Sequence, residues 1–277
     1  MNFGHYLAVW GTFARNSLVR NMTFRWNFLI NAVSSLSWVF MNLGFYTLIF
    51  HQIGSQGELA AGSGWRQYEF FVFLSTTLFV NSLVQAFFMP NAEEFSELIR
   101  RGGLDYVLVK PIDTQFLVSL QQVEWSSLAN FVFGGCLLGY SLYQLDYRPG
   151  WFQVLAYPFY VGCGVVILYS LMIALASTSI WLGRNQSLYN FWFYLTNFSR
   201  YPMEIYRGPV GDWLRRLFTF LVPVLVVVNV PARLLAKPLE PDHWWLMGYA
   251  LVATVMSFWA GRWVFQRALE SYRSASS

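Results

Sequence analysis

Residues 98–113 read LIRRGGLDYVLVKPID. The stretch before it, Phe70–Ala92, carries no charge, and the stretch after it, Thr114–Gln144, carries one, Glu124. A run of roughly 20 mainly apolar residues is long enough to cross the hydrocarbon core of a bilayer as a helix. A polar, glycine-broken segment between two such runs is what a turn between two membrane spans looks like. The pattern repeats outward. Asn27–Phe50, Pro149–Gly183, Leu217–Ala232 and Trp244–Gly261 are all free of charge. Over 277 residues the chain is 56% hydrophobic and 12% charged, about half the charge of a soluble domain. The runs are continuous rather than alternating, which selects helices over a barrel. The fold class read from the sequence is therefore an all-α polytopic membrane protein.

Tyr68, Trp151, Tyr157, Trp244 and Trp245 fall where interfacial aromatics would sit. Cys136 and Cys163 lie inside apolar runs and read as packing thiols rather than as a disulfide or metal site. Residues 1–26 hold Arg15, Arg20 and Arg25 among Phe, Trp and Leu, and have no compact apolar core. They read as an interfacial helix ahead of a retained first span, not as a cleaved leader.

The spans are placed at about 27–50, 68–90, 114–143, 151–182 and 243–265. Short loops rich in Lys and Arg stay cytoplasmic. The N-terminus, segment 91–113 and the C-terminal tail hold Arg15, Arg20, Arg25, Arg100, Arg101, Lys110, Arg267 and Arg273, against Arg66 and Arg148 in loops 51–67 and 144–150. Both termini and 91–113 are thus expected in the cytoplasm, with an even number of crossings. Residues 183–242 admit two readings. A fifth span at about 186–204 would be followed by an outer hairpin over 205–240, which Pro223 and Pro231 favour. Alternatively 213–236 is the span, which puts Arg200, Arg207, Arg215 and Arg216 inside.

No nucleotide-binding P-loop is present, because neither lysine, Lys110 nor Lys237, follows a glycine. Nor is there a His-Glu-x-x-His or Gly-x-Ser-x-Gly motif. No catalytic residue, metal site or nucleic-acid partner is expected. Polar groups within spans are costly and mark function by default. Gln121 and Glu124, with Leu128, would share one face of a helical third span, and Asn81 and Gln85 one face of the second. These four polar residues either line a path or bond between helices, or the third span starts later and Glu124 lies at the interface.

Within 91–113, Asn91 and Glu94 fit a capping box, and Glu97 precedes Arg100 and Arg101 at ion-pairing distance. Gly102 and Gly103 suit a helix end, and Asp113 or Thr114 can cap the next span. Leu104, Tyr106, Leu108 and Val109 add an apolar strip. A short amphipathic helix results, suited to docking in a groove of another protein or to resting on lipid headgroups.

Arg101, Gly103, Leu104 and Asp105, followed by Lys110-Pro111, resemble the basic segment of the permeases of type 2 ABC exporters. RYPMEIYRGPVGDWLRRLFTFLVPVLVVVNVPARLL (200–235) is similar to that family's segment after its fifth span, and the ending SYRSASS is similar too. The branch resembled is the ABC-2 family transporter permeases, often paired with a second permease. The resemblance implies six spans, an N-terminal interfacial helix, a cytoplasmic coupling helix between spans two and three, and a re-entrant hairpin over 205–240 at the outer face. It implies a multi-pass protein of a bacterial inner (plasma) membrane with two ABC ATPase subunits and a second permease, the same or related, as partners. Glu93, Glu94, Glu97, Arg100, Arg101, Gly103 and Asp105 would contact the ATPase. No cofactor would bind this chain directly; ATP and magnesium would sit on the partner ATPase, which would drive export of a hydrophobic or amphipathic substrate. The rival classes are an ATP-independent transporter or channel and a membrane scaffold.

Overall fold

The computed structural model describes residues 3–23, 25–54, 57–58, 63–145, 147–182, 193–238 and 241–272, and those residues are mostly helical with no strand among them. Helices α1 (Phe3–Thr23) and α2 (Arg25–Ile53) are followed by α3 (Gln67–Phe87), α4 (Met89–Arg100), α5 (Leu104–Leu108) and α6 (Thr114–Leu120). Then come α7 (Leu128–Gln144), α8 (Trp151–Ser177) and α9 (Ser179–Leu182). Residues 193–197 form a short helix, α10, and α11 (Gly208–Arg216), α12 (Val224–Ala236) and α13 (Pro241–Ser271) follow. Four stretches among the described residues are long and apolar enough to cross a membrane, Phe28–Ile53, Gln67–Arg100, Trp151–Leu182 and Trp244–Ser271. The span expected at 186–204 lies partly outside the described residues.

The core is made where α3 packs on α7 and α8 packs on α12 and α13. Its ends are fixed by contacts. At one end Trp65 donates to Glu204, Lys237 stands over the Trp65 ring at 4.5 Å, and Gln153 donates to the Lys237 carbonyl. At the other, Gly102 turns the chain after α4, Ser96 bonds Ser179, and Phe95 packs on Phe265. Helices α3, α8 and α13 all run from the Trp65 end to the Gly102 end. Phe152 stacks near Trp244, Tyr160 donates to Met247, and Gly261 meets Ser170, so α8 and α13 are parallel.

Both Glu204 and Lys237 lie at the Trp65 end, so residues 205–236 leave that end and return to it. Within this segment, helix Gly208–Leu221 meets α12 at 89°. Tyr249, two turns into α13, donates to the carbonyls of Thr219 and Phe220. The segment is held by a buried ion pair between Glu204 and Arg233, and by Asn229 accepting from the Met203 N–H at 2.8 Å. Removing one partner of a buried ion pair strands the other and costs about 3–5 kcal/mol. None of these partners is near the other in sequence.

Three expectations need correction. Residues 114–143 do not form one continuous helix: α6 ends at Leu120, a 3-10 turn covers Trp125–Ser127, and α7 starts at Leu128. Tyr157 is not interfacial but buried, its hydroxyl 2.9 Å from Thr76 Oγ1. Of the two thiols Cys163 is buried in the packing, whereas Cys136 is exposed on the outside of α7. An outward helix face in a membrane is itself apolar, so an apolar run alone does not tell core from periphery.

Candidate functional site

The segment between α3 and α6 forms an elbow at the Gly102 end. Helix α4 is almost a continuation of α3: the Phe88 N–H still bonds to Val84 O and the Ala92 N–H to Phe88 O. Pro90 sits in the first turn of α4, where no N–H partner is needed. Asn91 is therefore not a cap. The incoming helix already satisfies the N–H groups that a capping box would serve, and Asn91 is 2% exposed. Its Nδ2 donates to Phe87 O (2.7 Å) and to Gln122 O (2.8 Å), and its Oδ1 accepts from the Gln122 N–H at 2.8 Å.

The far end of α4 forms as its residues demand. Glu97 pairs with Arg100 and Arg101, and the hydrogen bond from Arg100 chiefly holds its carboxyl down at about 2. Gly102 takes φ +70°, a conformation that costs glycine nothing. The Gly103 N–H then reaches Leu98 O (2.8 Å) and the Gly102 N–H reaches Ile99 O (3.2 Å), a Schellman closure. One face of the elbow is apolar and buried: Phe95 and Leu104 are fully buried and cluster with Leu117, Ile173 and Phe265. The opposite face is open, with Glu93, Glu94, Arg100 and Arg101 exposed and Glu97 beside them. The expected apolar strip divides between these faces, since Leu104 is buried while Tyr106 is 80% and Val109 85% exposed. Asp105 and Gly103 lie half-buried between them. Tyr272, just past the end of α13, packs against the same cluster as Phe95 and Leu104, and burial and the nearby Asp105 carboxylate raise its hydroxyl above the ordinary range.

The chain then returns through Asp113, whose carboxylate accepts from the Phe116 N–H and caps α6, and which also pairs with Arg262 at 3.0 Å. Burial alone would raise this carboxyl. Arg262 and the backbone donors outweigh burial and hold it below the ordinary aspartate value.

Between α6 and α7 the helix is broken at Gln121–Glu124, so Gln121, Glu124 and Leu128 do not share a helical face. Groups from elsewhere supply the missing bonds. Asn91 takes both polar groups of the Gln122 backbone, Ser17 Oγ accepts from the Val123 N–H (3.1 Å), and Ala86 O accepts from the Glu124 N–H (2.8 Å). Helix α1 lies across the break, with Arg20 donating to the Gln122 side chain and Ala14 O accepting from Trp125 Nε1. Glu124 Oε1 accepts from Ser126 Oγ at 2.7 Å and is 3.5 Å from Asn21 Nδ2. Glu124 thus sits against α1 and the last turn of α3, not in the middle of a helical span. Gln121 is exposed, Asn81 half-buried and Gln85 exposed. No hydrogen bond among the described residues joins Asn81 or Gln85 to Glu124. Asn91 and Ser17 carry no sequence signal of this role.

A sequence model of the family described as "ABC-2 family transporter protein" matches residues 36–276, which takes in the elbow, the break, the bent 205–236 segment and α13. No curated protein matches the chain.

Asn91→Leu should strand the Gln122 backbone inside the elbow and destabilise the fold by about 1–3 kcal/mol, the cost of a buried unsatisfied group. Asn91→Asp, which keeps the acceptor for the Gln122 N–H but sets a carboxylate oxygen against the carbonyls of Phe87 and Gln122 in a buried site, should lose at least as much. Thermal melts of the detergent-solubilised protein measure both, and a leucine variant melting with the wild type would refute this role for Asn91.

Proposed function

From the premise that the chain belongs to the ABC-2 family of transporter proteins, and so is a permease-type membrane protein, we propose that it is the membrane-spanning subunit of an ATP-driven exporter. Separate ABC ATPase subunits, two per complex, bind ATP and magnesium, and a second permease, the same or related, completes the assembly. The observation that carries this is the elbow. It is a compact, capped structure at one end of the bundle, with an apolar side locked into the core and a charged side open. A plain loop requires no such construction. Glu93, Glu94, Glu97, Arg100 and Arg101, with Tyr106 and Val109 beside them, form the surface on which an ATPase subunit seats, and Gly103 and Asp105 shape its edge. Charged residues around exposed apolar ones are suited to an interface with orientation as well as affinity. The 277 residues contain no P-loop, so the hydrolysing site lies on that other chain.

The topology that goes with this function has six crossings, with α1 lying on the cytoplasmic face beside the elbow and both termini in the cytoplasm. The third crossing is the broken α6–α7 unit. The fifth is the stretch of about 186–204 that carries the chain from Ser179 at the Gly102 end to Glu204 at the Trp65 end. Residues 205–240 are a re-entrant hairpin at the outer face. The contacts of Glu204 and Lys237 at the same end of the bundle support this over the arginine tally. Asn81, Gln85, Gln121 and Glu124 remain the residues proposed to line or border the path. An uncovered apolar face on α2, including Leu29, Val33, Met41 and Leu48, fits contact with lipid and with the second permease. An amphipathic or hydrophobic cargo suits a bundle so rich in aromatic side chains, and the membrane is expected to be the inner membrane of a bacterium.

Reversing Arg100 and Arg101 together to Glu should abolish co-purification of the ATPase in mild detergent while the permease still melts as the wild type does; unchanged recovery of a hydrolysing complex would exclude the elbow as the docking surface. Asp212→Cys in a Cys136→Ser background should react with an impermeant maleimide on intact cells. Reaction only after permeabilisation would rule out the outer hairpin.

A further inference from the structure

Helices α8 and α13 come into close contact where Gly261 faces Ser170: a Cβ at Gly261 would lie 2.8 Å from the Ser170 carbonyl oxygen. The neighbouring residues, Tyr169 and Arg262, both reach one side chain of α6, Gln115. Arg262 donates through Nη2 to Asp113 (3.0 Å) and through Nη1 to Gln115 Oε1 (3.1 Å). Gln115 Nε2 in turn donates to the Tyr169 hydroxyl (2.9 Å), and Ser119 Oγ lies 2.9 Å from that same hydroxyl. Gln115 and Ser119 are 5% and 4% exposed. The other side of Tyr169 touches the elbow's opposite end, with its ring 4.6 Å from that of Phe88, the residue at the joint of α3 and α4. The point where the chain enters the elbow and the point where it leaves therefore meet on one pair of residues, Tyr169 of α8 and Arg262 of α13.

The rest of the elbow's seat is apolar, built on Phe95, Leu104 and Phe265. Apolar contact is non-directional and lets packed surfaces slide. The forked guanidinium of Arg262 is directional and grips two acceptors at once, which a lysine ammonium cannot reproduce. We propose that Arg262 and Tyr169 are the positioning residues that carry a displacement of the coupling segment into α8 and α13, and so toward the Trp65 end. The proposal rests on the permease reading above. It makes the last span a driven element: an ATPase pushing on the exposed face of α4 moves Asp113 and Phe88 together, and α13 follows through Arg262.

The test uses the whole permease with its co-purified ATPase in nanodiscs, with Trp245→Cys in a Cys136→Ser background reporting on the far end of α13. Adding ATP and vanadate should change the maleimide modification rate of that cysteine by about fivefold or more, the scale of an allosteric coupling. Arg262→Gln should remove the change while the ATPase still co-purifies and hydrolyses ATP. Asp113→Asn, which keeps the cap on α6 and loses the ion pair, should do the same, and Arg262→Lys should restore part of it. A merely structural role would lower the melting temperature or the yield of all three variants and leave the ATP-dependent change intact in the protein that survives. That intact change in Arg262→Gln, or in Asp113→Asn and Arg262→Lys should the glutamine variant not fold, overturns the proposal and leaves the permease reading standing. Failure of any ATPase to co-purify with the wild type overturns both.

Discussion

Everything at the Gly102 end depends on how an interrupted helix is tolerated next to lipid. A backbone N–H or carbonyl left unpaired in the hydrocarbon region costs several kcal/mol, so a span may break only where protein groups replace the lost bonds. Between Leu120 and Trp125 the replacements come from three directions: Asn91 from the elbow, Ser17 from α1 and the Ala86 carbonyl from α3. Because Asn91 is in α4, the break and the elbow form one mechanical unit. Moving α4 without moving residues 121–124 would cost both hydrogen bonds to Gln122. Helix α1, strapped across the same residues, becomes part of that unit rather than a separate anchor.

At the opposite end the anchoring is electrostatic instead. Glu204 pairs with Arg233 and accepts from the Trp65 indole, while Lys237 covers the Trp65 ring. Buried charge pairs rarely improve on apolar packing in net stability, but they are intolerant of misplacement. That intolerance fixes where the bent 205–236 segment must begin and end. The two ends thus differ in character. The Trp65 end is pinned by charge. The Gly102 end combines an apolar seat with the directional fork of Arg262.

What the sequence made legible follows from the range of the interactions involved. Long apolar runs reveal themselves without partners, and so do local devices: the Glu97 pairs with Arg100 and Arg101, the Gly102 closure of α4, and the Asp113 cap of α6. Each lies within about one helical turn, where residue type and spacing determine the contact. The break at 121–124, the Asn91 bridge to Gln122 and the Arg262 fork join residues far apart in the chain, and no spacing rule reaches them. Glu124 illustrates the difference. A single acid in an apolar run reads as a deep intramembrane charge, yet its depth depends on where the helix stops, and Asn91 and Ser17 decide that. Around 200–216 the charge count and the long-range contacts point in different directions for a related reason: the count weighs arginines alone, whereas Glu204 and Lys237 both reach Trp65 at one end of the bundle.

Whether the elbow's open face seats an ATPase can be read in native membranes without detergent, with a photoreactive phenylalanine analogue at Tyr106, which is 80% exposed on that face beside Val109. Irradiation followed by mass spectrometry of the adduct should identify a P-loop ATPase chain. Adducts with lipid alone, at a yield matching a lipid-facing control at Val252, would contradict that seating.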